Sequence, residues 1–523
     1  MSQLQPILVA GAWRQAEAVD QFTAINPRTR QPLEARFPVS GRADLLAAIA
    51  AGAAVAPELA AAAPGTIANF LEAYASLIDA NRGELAALAH AETGLAVEPR
   101  LNSTELPRTI DQLRQAAQAV RDCSWTRPTI DRKLNIRSLL APLSAPVVVF
   151  GPNNFPFAYN AVAGGDFASA IAARNPVIAK AHPSQPATSQ RLAELALQAL
   201  GEAGLPAATV QMLYHLPPEL GLELVAHPAI GAAAFTGSRR GGLALKAAAD
   251  AAGKPIYLEL SSVNPVVLLA GALDERPGDL ATEFAASCTL GGGQFCTNPG
   301  LVLLAPSARS KEFIAHASFR FGVSPTHVLL NEGVLEGLQA SLQTLREHGA
   351  TVVTGGEVVD DGFRVANTLL QVSGAQFLAS PAALQTEAFG ASSLVVTAES
   401  LDELLAIIAT LEGNLTGSIY SHSGDGDDAA YAQVAAALRP KVGRLLNDKM
   451  PTGVAVTAAM NHGGPYPATG HPGWTAVGFP AAITRFAALQ CYDNVRPQRL
   501  PAELQDANPL QIWRLVDGTW SCG

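Results

Sequence analysis

Within Pro146-Val147-Val148-Val149-Phe150-Gly151-Pro152-Asn153-Asn154-Phe155-Pro156, four apolar residues in succession have the composition of a strand buried on both faces. Gly151 and Pro152 end the run, and residues 158–173 are helical in pattern. The alternation continues outward, with strand-like runs at 176–180, 210–214, 232–235 and 256–259 separated by helical stretches. Short strands joined through helices imply a parallel sheet with right-handed crossovers, and ligands bind such sheets at the carboxyl ends of the strands. The expected fold class is α/β, with a nucleotide-binding, Rossmann-type sheet.

A second α/β unit begins after Asn264, with strand-like runs at 351–353, 394–396, 415–420 and 442–446. Ahead of the first unit, residues 1–40 read as short strands wrapped on the surface, and 41–92 and 104–121 as helices. Residues 125–143 read as two short strands around Arg132-Lys133, an excursion suited to an oligomerisation arm. Residues 461–478 are loop-like, 486–495 form a strand that pairs outside its own domain, and the polar tail from Pro501 packs on a surface.

At 523 residues the chain is too long for one core. Half of it is hydrophobic and only 15% is charged, which argues for a well-buried protein and against disorder. A net charge of −10 with no Lys/Arg block gives nucleic acid and anionic membranes nothing to hold. No apolar run stands out as a spanning helix, and Met1 to Gln15 has no secretory pattern. The five cysteines (Cys123, Cys288, Cys296, Cys491, Cys522) are scattered without a CxxC pair, so neither a disulfide framework nor a metal site is expected. The expectation is a protein of the reducing cytoplasm.

Candidate chemistry sits at strand ends and on one loop. In Gly291-Gly292-Gly293-Gln294-Phe295-Cys296-Thr297-Asn298-Pro299-Gly300, three glycines end a helical run and a cysteine follows. Cys296 is either an inert core thiol or a nucleophile held on a turn, since a thiol needs a cation or helix N-terminus to ionise readily. Glu259, ending the strand of residues 256–259, is either a solvated carboxylate or a base toward water. Asn154, between two prolines, is either part of an Asx turn or an oxyanion donor. Phe235-Thr236-Gly237-Ser238, with Gly242 beyond, is a strand–turn–helix junction whose N–H groups favour phosphate. Lys180 ends its own strand and is a surface lysine or a ribose or phosphate ligand. A Cys–His hydrolase using His462 or His471, and a nucleotide-binding protein without turnover, are the rival readings.

In order and spacing these stretches resemble the aldehyde dehydrogenase superfamily from about residue 20 to 495. Gly-Pro-Asn-Asn-Phe-Pro is similar to the family's Pro-Trp-Asn-Phe-Pro, Glu259-Leu260 to its Glu-Leu-Gly, and Gly293-Gln294-Phe295-Cys296 to its nucleophile motif. Glu387-Ala388-Phe389-Gly390 is similar to Glu-x-Phe-Gly-Pro. The resemblance implies a cofactor-binding domain (1–123 and 145–260), a catalytic domain (261–480), a β-strand oligomerisation arm (124–144 and 481–500) and a C-terminal tail (501–523). It implies Cys296 as nucleophile, Glu259 as general base and Asn154 as oxyanion donor. NAD or NADP would be held by Lys180, Pro183, Thr236, Gly237, Ser238, Gly242, Glu387 and Phe389. A homodimer or a dimer of dimers is implied as well.

Departures narrow the expectation. Asn153 replaces the family's tryptophan, Ser261 the glycine after Glu-Leu, and Ala391 the last proline. Pro183 stands where many NAD-preferring members carry a glutamate, so a 2′-phosphate meets less repulsion and NADP is slightly favoured. His462-Gly463-Gly464-Pro465-Tyr466-Pro467 and Lys-Ala-His-Pro look most like a subgroup acting on α-ketoglutaric semialdehyde (2,5-dioxopentanoate), with a related NADP-linked fatty aldehyde dehydrogenase. A dioxo acid needs a cation for its distal carboxylate, and Arg108 and Arg114 are the candidates.

Overall fold

The computed structural model describes residues 4–523; the first three residues of the expected cofactor unit lie outside the described residues. Val147–Phe150 lies near the middle of the first sheet, between Ala232–Thr236 and Val177–Lys180, both parallel to it. Ile256–Glu259 and Val210–Leu213 extend the parallel set on either side. The five apolar runs therefore share one sheet, and every strand delivers its carboxyl end to the same edge. The chain start departs from expectation. Ile7–Val9 adds to Val210–Leu213 antiparallel, and Ile7 and Leu8 are fully buried, so this segment belongs to the core. Three apolar residues in a row give no period from which burial could be read.

Arg42–Ala61 is, by length and composition, apolar enough to cross a membrane, contrary to the expectation from sequence. Its alanines supply that character, and its Leu45, Ala48, Ile49 and Leu59 pack into the core of the first sheet.

The second sheet has seven strands, six of them mutually parallel in the order Thr368–Ser373, Ser392–Thr397, Leu301–Leu304, Val266–Leu268, Asn414–Tyr420, Val442–Asn447. Val266–Leu268 and Thr368–Ser373 were missed from sequence, the first because it is only three residues long. The loop carrying Cys296 runs between the helix Pro277–Thr289 and the strand Leu301–Leu304, which places it over the first sheet's carboxyl edge.

A third sheet joins Ala487–Asp493 to Ile136–Pro142 along its full length, with Thr129–Asp131 beyond. The tail does more than pack on a surface: Arg514–Val516 pairs parallel to Thr129–Asp131, and Thr519–Ser521 closes the sheet. Arg514 is fully buried and donates from Nη1 to the Gln505 carbonyl.

Candidate active site

Three consecutive glycines after Thr289 all take left-handed backbone, with φ of 57°, 72° and 69°. At Gly293 a Cβ would lie 2.1 Å from the Gly390 carbonyl oxygen, so only glycine lets this loop touch the loop of Glu387 and Phe389. The close approach is thus to backbone. The Gln294 side chain pins the turn, accepting from Leu330 N–H and donating to the Val328 carbonyl. Asn264 Nδ2 lies within hydrogen-bond reach of the carbonyls of Cys296 (2.9 Å) and Asn298 (2.8 Å). The nucleophile candidate is held from both sides.

Cys296 is shared by two cavities. One, of about 280 Å³, is lined by Pro152, Asn153, Asn154, Thr236, Gly237, Ser238, Glu259, Leu260, Ser261, Glu387 and Phe389, with one face of the helix Glu332–Glu347 opposite. The other, of about 660 Å³, is lined by Arg100, Arg108, Asp111, Phe155, Tyr159, Leu290, Phe295, His327, Val328 and Val454 to Val456, among others. A group attached to Sγ therefore faces strand ends on one side and a roomier, mostly apolar chamber on the other.

Glu259 and Asn154, predicted separately, both come to this junction. Asn154 is buried and donates from Nδ2 to the Gln294 carbonyl at 3.0 Å, which leaves its second amide hydrogen available. Arg100 fixes the backbone of that loop, donating to the Asn154 carbonyl while pairing with buried Glu105. Glu105 in turn accepts from the N–H groups of Phe157 and Ala158.

His462 completes the cluster. Its Nε2 lies 2.8 Å from Glu259 Oε1 and 3.6 Å from Cys296 Sγ, with both His462 and Glu259 buried. In sequence it is the base of a rival hydrolase and the first residue of the His-Gly-Gly-Pro-Tyr-Pro stretch, 166 residues from the cysteine, and no local signal joins it to the glutamate. His471 is elsewhere, with Nε2 against the Ile256 carbonyl. Burial pushes the Cys296 thiol well above its ordinary range, and the nearby Glu259 charge adds to this while Arg108 opposes it. Burial also pushes Glu259 upward, but His462, with smaller contributions from Cys296 and Arg108, outweighs it and holds the carboxyl below its ordinary value. Such an arrangement sets the thiol beside an imidazole–carboxylate pair able to take its proton, with the carboxylate held ionised and able to act as a base toward water.

Along the sheet edge, Ser238 caps the helix Arg239–Ala251 by accepting from Gly241 N–H. Gly242 lies off the cavity: a Cβ there would sit 2.3 Å from Leu260 Cδ2, so its part is to let helix and strand pack closely. Glu387 accepts from Ser262 N–H, and burial raises its carboxyl while Ser261 and Ser262 draw it back. Lys180 and Pro183 lie two strands from Thr236 and do not line the 280 Å³ cavity. Burial pulls the Lys180 amine down to about 8. His182 and His215, brought down to about 3 and about 4 by burial and by Lys180, sit beside it where two neighbouring strands end.

Arg108 and Arg114 separate. Arg108 lines the large cavity, donating from Nε to Gln112 and from Nη2 to the Tyr159 hydroxyl, both at 3.2 Å. Arg114, six residues on and so on another face of Leu106–Arg121, is exposed and acts electrostatically on Glu72.

Residues 13–464 match the aldehyde dehydrogenase family. The chain is 41% identical to α-ketoglutaric semialdehyde dehydrogenase 2 of Azospirillum brasilense, covering 99% of each, and 36% identical to α-ketoglutaric semialdehyde dehydrogenase of Acinetobacter baylyi, covering 86% of each. The fold superposes on aldehyde dehydrogenase C of Pseudomonas syringae, solved with NAD+ and octanal, with a TM-score of 0.80 at 20% identity, covering 95% of this chain and 98% of that one. This chain belongs to the aldehyde dehydrogenase family and is an NAD(P)-dependent oxidoreductase of aldehydes.

Proposed function

We propose that the chain oxidises a semialdehyde bearing a distal carboxylate, of which 2,5-dioxopentanoate (α-ketoglutaric semialdehyde) is the example, to the corresponding acid. The observation that carries the proposal is Arg108, a guanidinium oriented by Gln112 and Tyr159 on the wall of the cavity that ends at Cys296. A fixed cation in a largely apolar chamber selects for an anionic tail. The two α-ketoglutaric semialdehyde relatives support the same class.

In this reading the Cys296 thiol gives its proton to the His462–Glu259 pair and attacks the carbonyl carbon. The second amide hydrogen of Asn154, with the Cys296 N–H, receives the developing oxyanion. When bound, NAD(P)+ would supply the hydride acceptor for oxidation of the carbon held on Sγ. Thr236, Gly237, Ser238, Glu387 and Phe389 would hold it, and the cavity they share with Cys296 fits that use. Once the thiol proton has passed from the pair to solvent, Glu259 takes a proton from water. The hydroxide so formed adds to the acyl carbon on Sγ, and the C–S bond breaks to release the acid and return the thiolate. Because this glutamate is present and buried beside the thiol, hydrolysis is favoured over transfer to coenzyme A.

Lys180, charged below about pH 8, stands at one end of the cofactor edge, which supports a 2′-phosphate there and a preference for NADP. Residues 1–123 and 145–260 would form the cofactor unit and 261–480 the catalytic unit. The third sheet, with Leu489 and Trp520 exposed, would join copies of the chain into a dimer or dimer of dimers. The five unpaired cysteines fit the cytoplasm.

A second reading rests on the size and apolar lining of the 660 Å³ chamber, which also suits a longer aliphatic aldehyde. Steady-state kinetics with 2,5-dioxopentanoate, succinic semialdehyde and aliphatic aldehydes of increasing length, each with NAD+ and NADP+, test both. The highest kcat/KM is expected for the dioxo acid; a rise with aliphatic chain length past it would replace the first reading by the second.

A further inference from the structure

We propose that Cys296, His462 and Glu259 form a zinc-binding site that switches the enzyme off reversibly and shields its thiol. Their ligand atoms, one thiol sulfur, one imidazole nitrogen and one carboxylate oxygen, all lie within 4.8 Å of one another. Zn–S of about 2.3 Å and Zn–N or Zn–O of about 2.0–2.2 Å put neighbouring ligands of a tetrahedral ion about 3.3–3.6 Å apart. The Sγ to Nε2 distance of 3.6 Å already meets that spacing, and the 2.8 Å between Nε2 and Oε1 needs only a small opening of two side chains.

Charge and hydrogen bonding point the same way. A thiolate and a carboxylate neutralise a dication, which replaces the repulsion between Glu259 and Cys296 by shared attraction. Glu259 Oε2 is buried and has no hydrogen-bond partner among the described residues, so a second carboxylate oxygen is available to the ion. Three protein ligands leave one position open toward the cavities, for water or an anion. Arg108, on the cavity wall, opposes the ion electrostatically, so the affinity must come from coordination. Binding releases the thiol proton to solvent and forms a sulfur–zinc bond, with no change of oxidation state. The sulfur lone pair and the carboxylate are then both engaged, and neither attack on an aldehyde nor activation of water can proceed.

The inference rests on the proposed roles of these residues, and its test is read without turnover. In full-length protein carrying Cys491→Ser and Cys522→Ser, calorimetric titration with ZnCl₂ should show one site per chain. CoCl₂ should give a near-ultraviolet thiolate-to-cobalt band with tetrahedral visible absorption. Zinc should block iodoacetamide labelling of Cys296, and EDTA should restore it. His462→Gln and Glu259→Gln should each weaken zinc binding about 100-fold while keeping the fold, as judged by melting temperature and NADP+ binding. Unchanged zinc affinity in both variants, or cobalt bound without the thiolate band, overturns the site. Hydride yield measured in EDTA tests the dehydrogenase reading separately: turnover there with no zinc binding rejects only the zinc site, and zinc binding with no turnover rejects only the assigned roles.

Discussion

The two cavities that meet at Cys296 are built in different ways. The smaller has its polar groups on strand ends and turns, Asn154 after one strand, Thr236 to Ser238 after a second, Glu259 after a third, and the Glu387 loop, facing one wall made by the helix Glu332–Glu347. The larger is walled by helix faces and loops from residues 94–111, 286–297, 327–328 and 453–456, with Phe155 and Tyr159 from the loop after Val147–Phe150. On the first side, the polar groups from the first sheet are positioned by its pleat and parallel order, so a few residues in a short motif suffice to place each of them. On the second, shape arises from how separate segments pack, and no segment carries the shape alone. Chemistry and substrate choice therefore reside in parts of the molecule with different tolerance to change.

The sharpest way to break this contrast is at the shared residue. Cys296→Ala should reduce dehydrogenase turnover to background with every aldehyde, whereas Glu259→Gln should release one equivalent of reduced cofactor per active site and then stall, its steady-state rate down by about 10²–10⁴. Stopped-flow absorbance separates the two, and full steady-state activity in Glu259→Gln would remove the assigned role.

Next in size is Asn154→Ala, for which kcat should fall by about 10²–10³ with little change in KM, because an oxyanion donor acts in the transition state. A rise in KM alone would place Asn154 among ground-state contacts. On the other wall, Arg108→Leu should raise KM for 2,5-dioxopentanoate by about 10–100-fold, the loss of a charged hydrogen bond, and leave an uncharged aliphatic aldehyde nearly unaffected. Equal damage to both substrates would mean that Arg108 supports the site rather than choosing the substrate.

The smallest effect concerns pH. Lys180 has its amine at about 8, below the ordinary lysine value, so its positive charge is present below that pH and lost as pH rises through it. If Lys180 meets the 2′-phosphate, the preference for NADP+ over NAD+ should decline by a few-fold between about pH 7 and 9. Binding titrations of 2′,5′-ADP and 5′-AMP across that range measure it, and a constant ratio would place Lys180 on the ribose alone.

How far the site was legible follows from the same contrast. Glu259, Asn154 and Thr236 to Ser238 each end or follow a short apolar run, and a parallel sheet brings such ends to one edge, while Cys296 is marked by the glycine turn that ends the helix before it. Arg108 and Arg114 looked alike in sequence, and only the helix phase and the packing around Gln112 and Tyr159 set one in the cavity and the other in solvent. Ile7–Val9 and the tail strand Arg514–Val516 were misjudged because sheet pairing between segments hundreds of residues apart has no local signature.

By itself, the sequence determined the alternation of strands and helices, the glycine-dependent turn before Cys296 and the residue types able to attack, stabilise and hydrolyse, because these depend on neighbours a few residues away. The tertiary structure alone decided that His462 lies between Glu259 and Cys296, that the Gly293 backbone meets Gly390, and that one of two arginines faces the substrate chamber. Those relations join segments tens to hundreds of residues apart, and they come into being only when the two sheets pack and close the space around the thiol.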